Sequence, residues 1–296
     1  MASSYDTHRG RLRHILLILL DGVGLPPGRL EDSVYRHCPA LCRLFGENSV
    51  PLDTGLGVPG IPQSATGQTA ILTGVNAAAL LGRHLEGFPN SALRDVITAN
   101  NVFRRLLERH RTCQFANAYV SAPAQELPVT LRSVTTVSTL AAFGQALNRA
   151  DLLDGRAVYH DITRHTLPTR GIEGIPPIRE PEAAKHLLGV LRTVDFCLFE
   201  YFLTDHAGHR GTPEDQQRVL QSLDAFVDAL LAGLDGATEL LLMVSDHGNI
   251  EDGSRRGHTS NPVPWVARGC AESAARHGCA SLLDVTPKVL ELLGAE

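Results

Sequence analysis

The stretch Glu239-Leu240-Leu241-Leu242-Met243-Val244-Ser245-Asp246-His247-Gly248-Asn249 decides the fold. The run from Glu239 to Val244 reads as a strand buried on both faces, the kind that parallel sheets of α/β proteins use. Asp246 and His247 follow it directly. They are oxygen and nitrogen donors of the type borderline divalent cations take, held at the rigid end of a strand. An isolated Asp-His-Gly is equally what a strand followed by a polar turn, closed at Gly248, would present. The two readings part on how many other Asp, His and Ser residues also stand just past apolar runs.

Two further runs repeat the arrangement. His14 to Leu20 is a continuous apolar strand that ends in Asp21, with Gly22 and Gly24 after it to allow a tight turn and close approach of backbone to a ligand. Ligands of open α/β sheets collect beyond the carboxyl ends of strands, which is where Asp21 stands; a lone Asp there can also cap the next turn. Val194 to Leu203 is a dense strand run that ends in Thr204-Asp205-His206-Ala207-Gly208-His209. Asp205 and His209 are four apart, so on a helical turn both face one cation. Gly257-His258 adds a histidine on a loop before a short strand reaching Ala267, and Pro62-Gln63-Ser64 leads into a helix that begins near Ser64 or Ala65. A serine there has free N–H groups and the positive end of the helix dipole beside it, which suits an anion such as phosphate. The same residue is a preferred N-cap, worth about 1 kcal/mol with no chemistry.

The scaffold is legible around these points. Thr212 as N-cap, Pro213, Glu214 and Asp215 open a helix whose apolar positions run from Val219 to Leu234 at helical period. Helices are also expected over Asp32 to Phe45, Leu93 to Glu108 with a break at Asn100-Asn101, Val137 to Leu147, Pro181 to Leu191 and Ser281 to Leu293. Leu52 to Val58 and Thr112 to Val120 look extended. Between 121 and 181 the pattern weakens into loop, read as a small cap or lid; His160, Asp161 and His165 lie in it, as metal donors or as solvated loop residues.

At 296 residues the chain fits one large α/β domain, 1–296, with that 121–181 elaboration inside it. A net charge of -5 gives no pull toward nucleic acid or an acidic membrane. Six cysteines include no Cys-x-x-Cys; Cys38 and Cys42 fit one helix face, Cys113 and Cys197 lie in strand-like runs, and free thiols in a reducing cytosol are expected. The apolar run Ile15 to Leu20 is too short for export and lacks a small-residue cleavage site, so a cytoplasmic location is expected.

Asp21-Gly-Val-Gly, Gln63-Ser64, Asp205-x-x-x-His209, Ser245-Asp246-His247-Gly-Asn and His258-Thr-x-Asn261-Pro-Val-Pro, taken as an ordered set from residue 21 to 264, resemble the alkaline phosphatase superfamily. Within it they are most similar to the metalloenzyme domain of cofactor-independent phosphoglycerate mutase and phosphopentomutase. The resemblance implies a three-layer α/β sandwich around a mostly parallel sheet. It also implies two divalent metal ions, manganese or zinc, one held by Asp21, Ser64, Asp246 and His247, the other by Asp205, His209 and His258. Ser64 would be the nucleophile, transiently phosphorylated, and the substrate a small phosphorylated metabolite.

Departures from the family pattern bear on the reaction. The mutases carry a large inserted domain, whereas about sixty residues remain here for a lid. Gln68 stands where many relatives have His, and Ala65 where the glycerate mutases have Glu. Neither lysine of the chain, Lys185 or Lys288, lies near a motif; Arg83 can substitute in holding substrate, or be an ordinary helix end. A Cys-x-Pro-x-Arg segment is absent, which argues against a sulfatase. The expected function is therefore a two-metal phosphomonoesterase, with a phosphomutase of minimal cap and a catalytically quiet metal-binding protein as alternatives. The oligomeric state is left open.

Overall fold

The computed structural model describes residues 12–254 and 256–295. Positions 1–11, Arg255 and Glu296 of the expected 1–296 domain lie outside the described residues. Strands β1 (His14–Leu20), β2 (Ser49–Leu52), β3 (Cys113–Phe115), β4 (Phe196–Tyr201), β5 (Glu239–Ser245) and β6 (Val263–Gly269) form one sheet in the order β2-β6-β5-β1-β4-β3. β1 pairs in parallel with both β4 and β5, β3 pairs in parallel with β4, and β6 runs antiparallel to its neighbours β5 and β2. The sheet is thus mostly parallel, as expected.

Alternation along the central strands makes the three layers. Ile15, Leu17 and Leu19 of β1 pack on one face with Leu240, Leu242 and Val244 of β5 and residues of the helices Ser64–Thr73, Ser91–Asn100 and Val285–Leu292. Leu16, Ile18 and Leu20 pack on the other with Leu241 and Met243 and the helices Pro39–Glu47, Glu180–Leu191 and Pro213–Gly233. Burial on both faces explains why these strands read as unbroken apolar runs.

Several boundaries differ from the sequence reading, each for a local reason. The expected helix Asp32 to Phe45 is two 3-10 turns, Leu30–Asp32 and Val34–His37, then the helix Pro39–Glu47. A residue before proline is disfavoured from helical geometry, and Cys38 sits at φ -128 ψ 75. Cys38 therefore precedes the helix that contains Cys42, and the two do not share a helix face; none of the six cysteines is in a disulfide. Of Leu52 to Val58 only Leu52 is in a strand, because the Asp53 carboxylate accepts from Gly55 N and Leu56 N and closes a turn. β3 ends at Phe115, though isolated bridges continue at Asn117 and Tyr119. The Val137 to Leu147 helix is Val134–Phe143, begun by Ser133 and ended by Gly144 in the left-handed region, and Val134 and Val137 belong to the main core. Val158 and Ile162 join the core on the other face, and Leu152, Tyr159, Leu167 and Ile175 gather in a small cluster of their own.

Candidate metal centre

The register of the sheet brings the three motif carboxylates together. Leu20 pairs with Tyr201 of β4 on one side and Ser245 of β5 on the other, so the chain leaves all three strands at one level. Asp21 and Asp246 follow directly. Phe202 turns β4 into the helix Leu203–Arg210, which carries Asp205 and His209 one turn apart. Gly22 turns β1 aside at φ 71, and a Cβ there would meet Asp205 at 2.8–2.9 Å, so only glycine lets these two loops touch.

Two donor clusters result, Asp21 with Asp246 and His247, and Asp205 with His209 and His258; within each, the candidate ligand atoms lie within 4.8 Å of one another. In the first, His247 Nε2 is 3.3 Å from Asp21 Oδ1 and 3.7 Å from Asp246 Oδ2. In the second, Asp205 Oδ1 is 3.3 Å from His209 Nε2 and 3.4 Å from His258 Nε2, and the two imidazole nitrogens face each other at 2.9 Å. The clusters adjoin, since the rings of His247 and His258 stack with centroids 3.7 Å apart.

Ser64 stands beside the first cluster. It is the first residue of the helix Ser64–Thr73, whose N-cap is Gln63, so it does not cap. Its Oγ is 3.0 Å from His247 Nε2. The first amides of that helix have no partner within it, the earliest backbone bond running from Gly67 N to Gln63 O. Gly67 lets the helix lie against the β5 loop, because a Cβ there would come within 2.6 Å of Asp246 O.

The chemistry of the donors fits cations. His258 Nδ1 lies 2.9 Å from Pro62 O and His247 Nδ1 3.2 Å from Gly248 O. Donation of that N–H to a backbone carbonyl leaves Nε2 with its lone pair free, as metal-ligating histidines are held. Asp21 Oδ1 is buried without a hydrogen bond. Burial, then repulsion by Asp246, pushes the Asp21 carboxyl up to about 8, and burial raises Asp246 as well. Burial opposes charge on His247, yet Asp246 and Asp21 outweigh it and lift that imidazole to about 10. For Asp205, burial is overcome by the hydrogen bond from His258 and the charge of His247, holding it at about 2. Crowded carboxylates of this kind demand positive charge, which a divalent cation supplies more fully than protons.

Some functional neighbours were not legible as such. Gln68, noted in the sequence only as a departure, donates from Nε2 to both Asp21 Oδ2 (3.2 Å) and Asp246 Oδ2 (3.0 Å). Glu251 is buried and accepts from Gly24 N (2.9 Å), Asn249 N (2.8 Å), Asn261 Nδ2 (3.0 Å) and Thr259 Oγ1, tying three loops of the site together. Asn249 Nδ2 donates to Asp205 Oδ1 at 2.6 Å. Nothing in periodicity flags an acid inside a polar loop; only its place four residues past His247 could have.

Beside the clusters lies a cavity of about 600 Å³, lined at one end by Asp21, Ser64 and Asp205. His160 and Glu200 also line it. Burial, then Arg170 and His206, drop the His160 imidazole to about 3, while burial raises Glu200 to about 7, against a hydrogen bond from Thr135 Oγ1. Asp161 instead binds its own loop through Arg164 N, Thr166 N and Thr166 Oγ1, and His165 is exposed. Arg83 is not brought to the site. Gly82, in the left-handed region, ends the helix Ala77–Leu81, and Arg83 stays exposed just past it, outside the cavity lining; Arg170 lies in that lining instead.

A mostly parallel sheet of this order, with two donor clusters past its central strands, has the make-up of a metalloenzyme. The profile of the Metalloenzyme superfamily matches residues 13–296, and the chain belongs to that family. It is 31% identical over 130 residues to a 2,3-bisphosphoglycerate-independent phosphoglycerate mutase of Paracoccus denitrificans, a match covering 41% of this chain. That match spans only 25% of the mutase. Among solved structures it resembles alkaline phosphatase from the Antarctic bacterium TAB5 (TM-score 0.56, 13% identity, 97% of this chain and 98% of that one). Thermus thermophilus alkaline phosphatase is similar too (TM-score 0.56, 11% identity, 96% and 92%). Among the described residues no helix is long and apolar enough to cross a membrane.

Proposed function

We propose that this chain hydrolyses phosphomonoesters with two divalent cations, manganese or zinc, through a phosphoserine at Ser64. The observation that carries the reading is Ser64 itself: it opens a helix without capping it, sets its Oγ 3.0 Å from His247 Nε2, and lines one end of a cavity. Asp21, Ser64, Asp246 and His247 would hold one cation, and Asp205, His209 and His258 the other. Bound there, the pair would supply Lewis-acid charge for both the attacking and the leaving oxygen of an in-line displacement.

The chain's own residues do the rest. Ser64 Oγ gives its proton to solvent and attacks phosphorus; the P–O bond to the leaving group breaks, and the alcohol departs with a proton taken back from solvent. The unpaired amides at the start of the Ser64–Thr73 helix face the phosphoryl oxygens, as anions at helix N-termini are bound. Water then attacks the phosphoserine, the P–Oγ bond breaks, and inorganic phosphate leaves as Ser64 regains its proton. Glu251 and Asn249 fix the loops that hold the donors, and Gln68 fixes the two carboxylates of the first cluster.

The alternative fate of the phosphoserine, transfer to a second hydroxyl, is supported by the mutase relatives. Phosphate release from a generic aryl phosphate by metal-stripped protein refilled with manganese or zinc tests the reading, with Ser64→Ala alongside. Metal-dependent turnover that falls roughly 10³-fold or more in Ser64→Ala, with cation content retained, is the expected outcome. No turnover with either metal, despite bound cations, would sink the hydrolase.

A further inference from the structure

The cavity beside Ser64 is built for more than a phosphoryl group. At about 600 Å³ it lies in the range of pockets that enclose whole ligands, well beyond the needs of a three-carbon acid. Its walls carry Phe88, Tyr119, Leu131, Tyr159 and Phe202, and Arg170 is the one arginine or lysine in the described lining. That arginine is exposed, with its guanidinium 3.4 Å from the Tyr159 hydroxyl, and a single exposed cation holds an anion weakly. Polyanionic acids and sugar phosphates need several free donors, whereas Asn117, Tyr119, Ser133 and Thr136 of the lining are already bonded to Glu200 O or to one another.

Flat surface is what it does offer. His160 stacks on Phe202 with centroids 4.6 Å apart and packs on Tyr159 at 4.0 Å, so three rings make one aromatic wall. His160 Nε2 is buried without a hydrogen-bond partner, so the ring meets the cavity by its apolar surface. Phe88 and Leu131, in the same lining, are 48% and 53% exposed, large apolar side chains left for something to cover. The inner end of the cavity is the proposed nucleophile itself, which identifies the cover as the substrate's own leaving group.

We infer that the cavity selects phosphomonoesters whose leaving group carries an apolar ring, lying along the Tyr159–His160–Phe202 wall with Phe88 and Leu131 closing over it. The inference rests on the phosphoryl-transfer reading of Ser64 and names its substrate class. The reaction remains hydrolysis by one water: the P–O bond breaks, the ring-bearing alcohol leaves with the proton that Ser64 gives up to solvent, and phosphate carries the oxygen of the water, whose proton restores Ser64.

Benzyl phosphate and ethyl phosphate test it, because both release alkyl alcohols and differ mainly in the ring. With manganese-loaded protein, kcat/KM for benzyl phosphate is expected to exceed that for ethyl phosphate by about 10-fold or more, and that for 3-phosphoglycerate likewise. In Leu131→Ser and Phe88→Ser the benzyl-to-ethyl ratio should fall about 3- to 10-fold, a ratio that cancels any loss common to both esters. Ethyl phosphate or 3-phosphoglycerate matching benzyl phosphate, or a ratio unmoved in both variants, overturns the inference. Calorimetric titration with benzylphosphonate and ethylphosphonate reads the cavity without turnover. If no ester is turned over but benzylphosphonate binds tighter and Leu131→Ser weakens it, the hydrolase reading fails and the ring site stands. Equal or undetectable binding of the two phosphonates overturns the ring site.

Discussion

The two donor clusters differ in how they meet water. Asp246 and His247 are wholly buried and Asp21 nearly so, while the His209 side chain is 39% exposed. The buried cluster sets two carboxylates beside one imidazole; the open one has one carboxylate and two imidazoles. Charges interact more strongly where water is excluded, so the buried set has both the greater need of a cation and the stronger hold on one. One end of the sheet thus carries a more buried and a more exposed donor cluster side by side.

Removing a donor from each half should separate them most sharply. Asp246→Asn is expected to weaken the tighter of two binding steps in a manganese titration by about 100-fold, while His209→Ala affects mainly the weaker step. A variant pair that shifts both steps equally would erase the distinction. Cation saturation at about 100 times its Kd should also stabilise the protein by about 2.7 kcal/mol, seen as a rise in Tm that Asp246→Asn diminishes.

The next effect concerns the buried side alone. Glu200 lies near Asp246, whose charge adds to the burial that raises it to about 7 from a model-compound value of 4.5. A carboxyl raised on folding contributes stability fully present below its unfolded value and lost as pH rises through the folded one. Metal-stripped wild type should therefore lose roughly 2 kcal/mol between pH 5 and 7 from this group, and Glu200→Gln should flatten that slope. Urea midpoints measured across that window check it. A slope unchanged in the variant would mean Glu200 is ionised in the folded protein throughout.

Much of this centre was readable because chemistry stands at strand ends. Asp21, Asp205 and Asp246 each follow a run whose burial on both faces leaves no doubt of its strand, and Asp205 with His209 needs only one helical turn. Sequence could not give the sheet order that makes β4, β1 and β5 adjacent and turns three separate strand ends into one rim. The cavity wall was hidden for a different reason. Phe88, Tyr119, Leu131, His160 and Phe202 come from segments far apart in the chain, several of them irregular, where no period marks which side faces a ligand. Arg83 shows the converse, a cation near a motif in sequence that the fold leaves outside.

Gln68 gives the smallest expected effect and the finest probe of the buried half. Its amide nitrogen bridges Asp21 Oδ2 and Asp246 Oδ2, so it relieves their repulsion without adding charge, and it leaves Asp21 Oδ1 free for a cation. A neutral bridge orients ligands but cannot compete with the ion. Gln68→Ala should then weaken the tighter manganese step by about 10-fold and leave the weaker step where it was, since outer partners of metal ligands typically carry this much. Gln68→Glu adds a third carboxylate beside two already crowded, and should tighten the same step in calorimetry while lowering the Tm of the metal-stripped protein. Were Gln68→Ala to leave both steps unmoved, burial and the backbone N–H groups of Gly22 and His247 on Asp246 Oδ1 would suffice to hold the carboxylates, and Gln68 would add nothing to the contrast between the clusters.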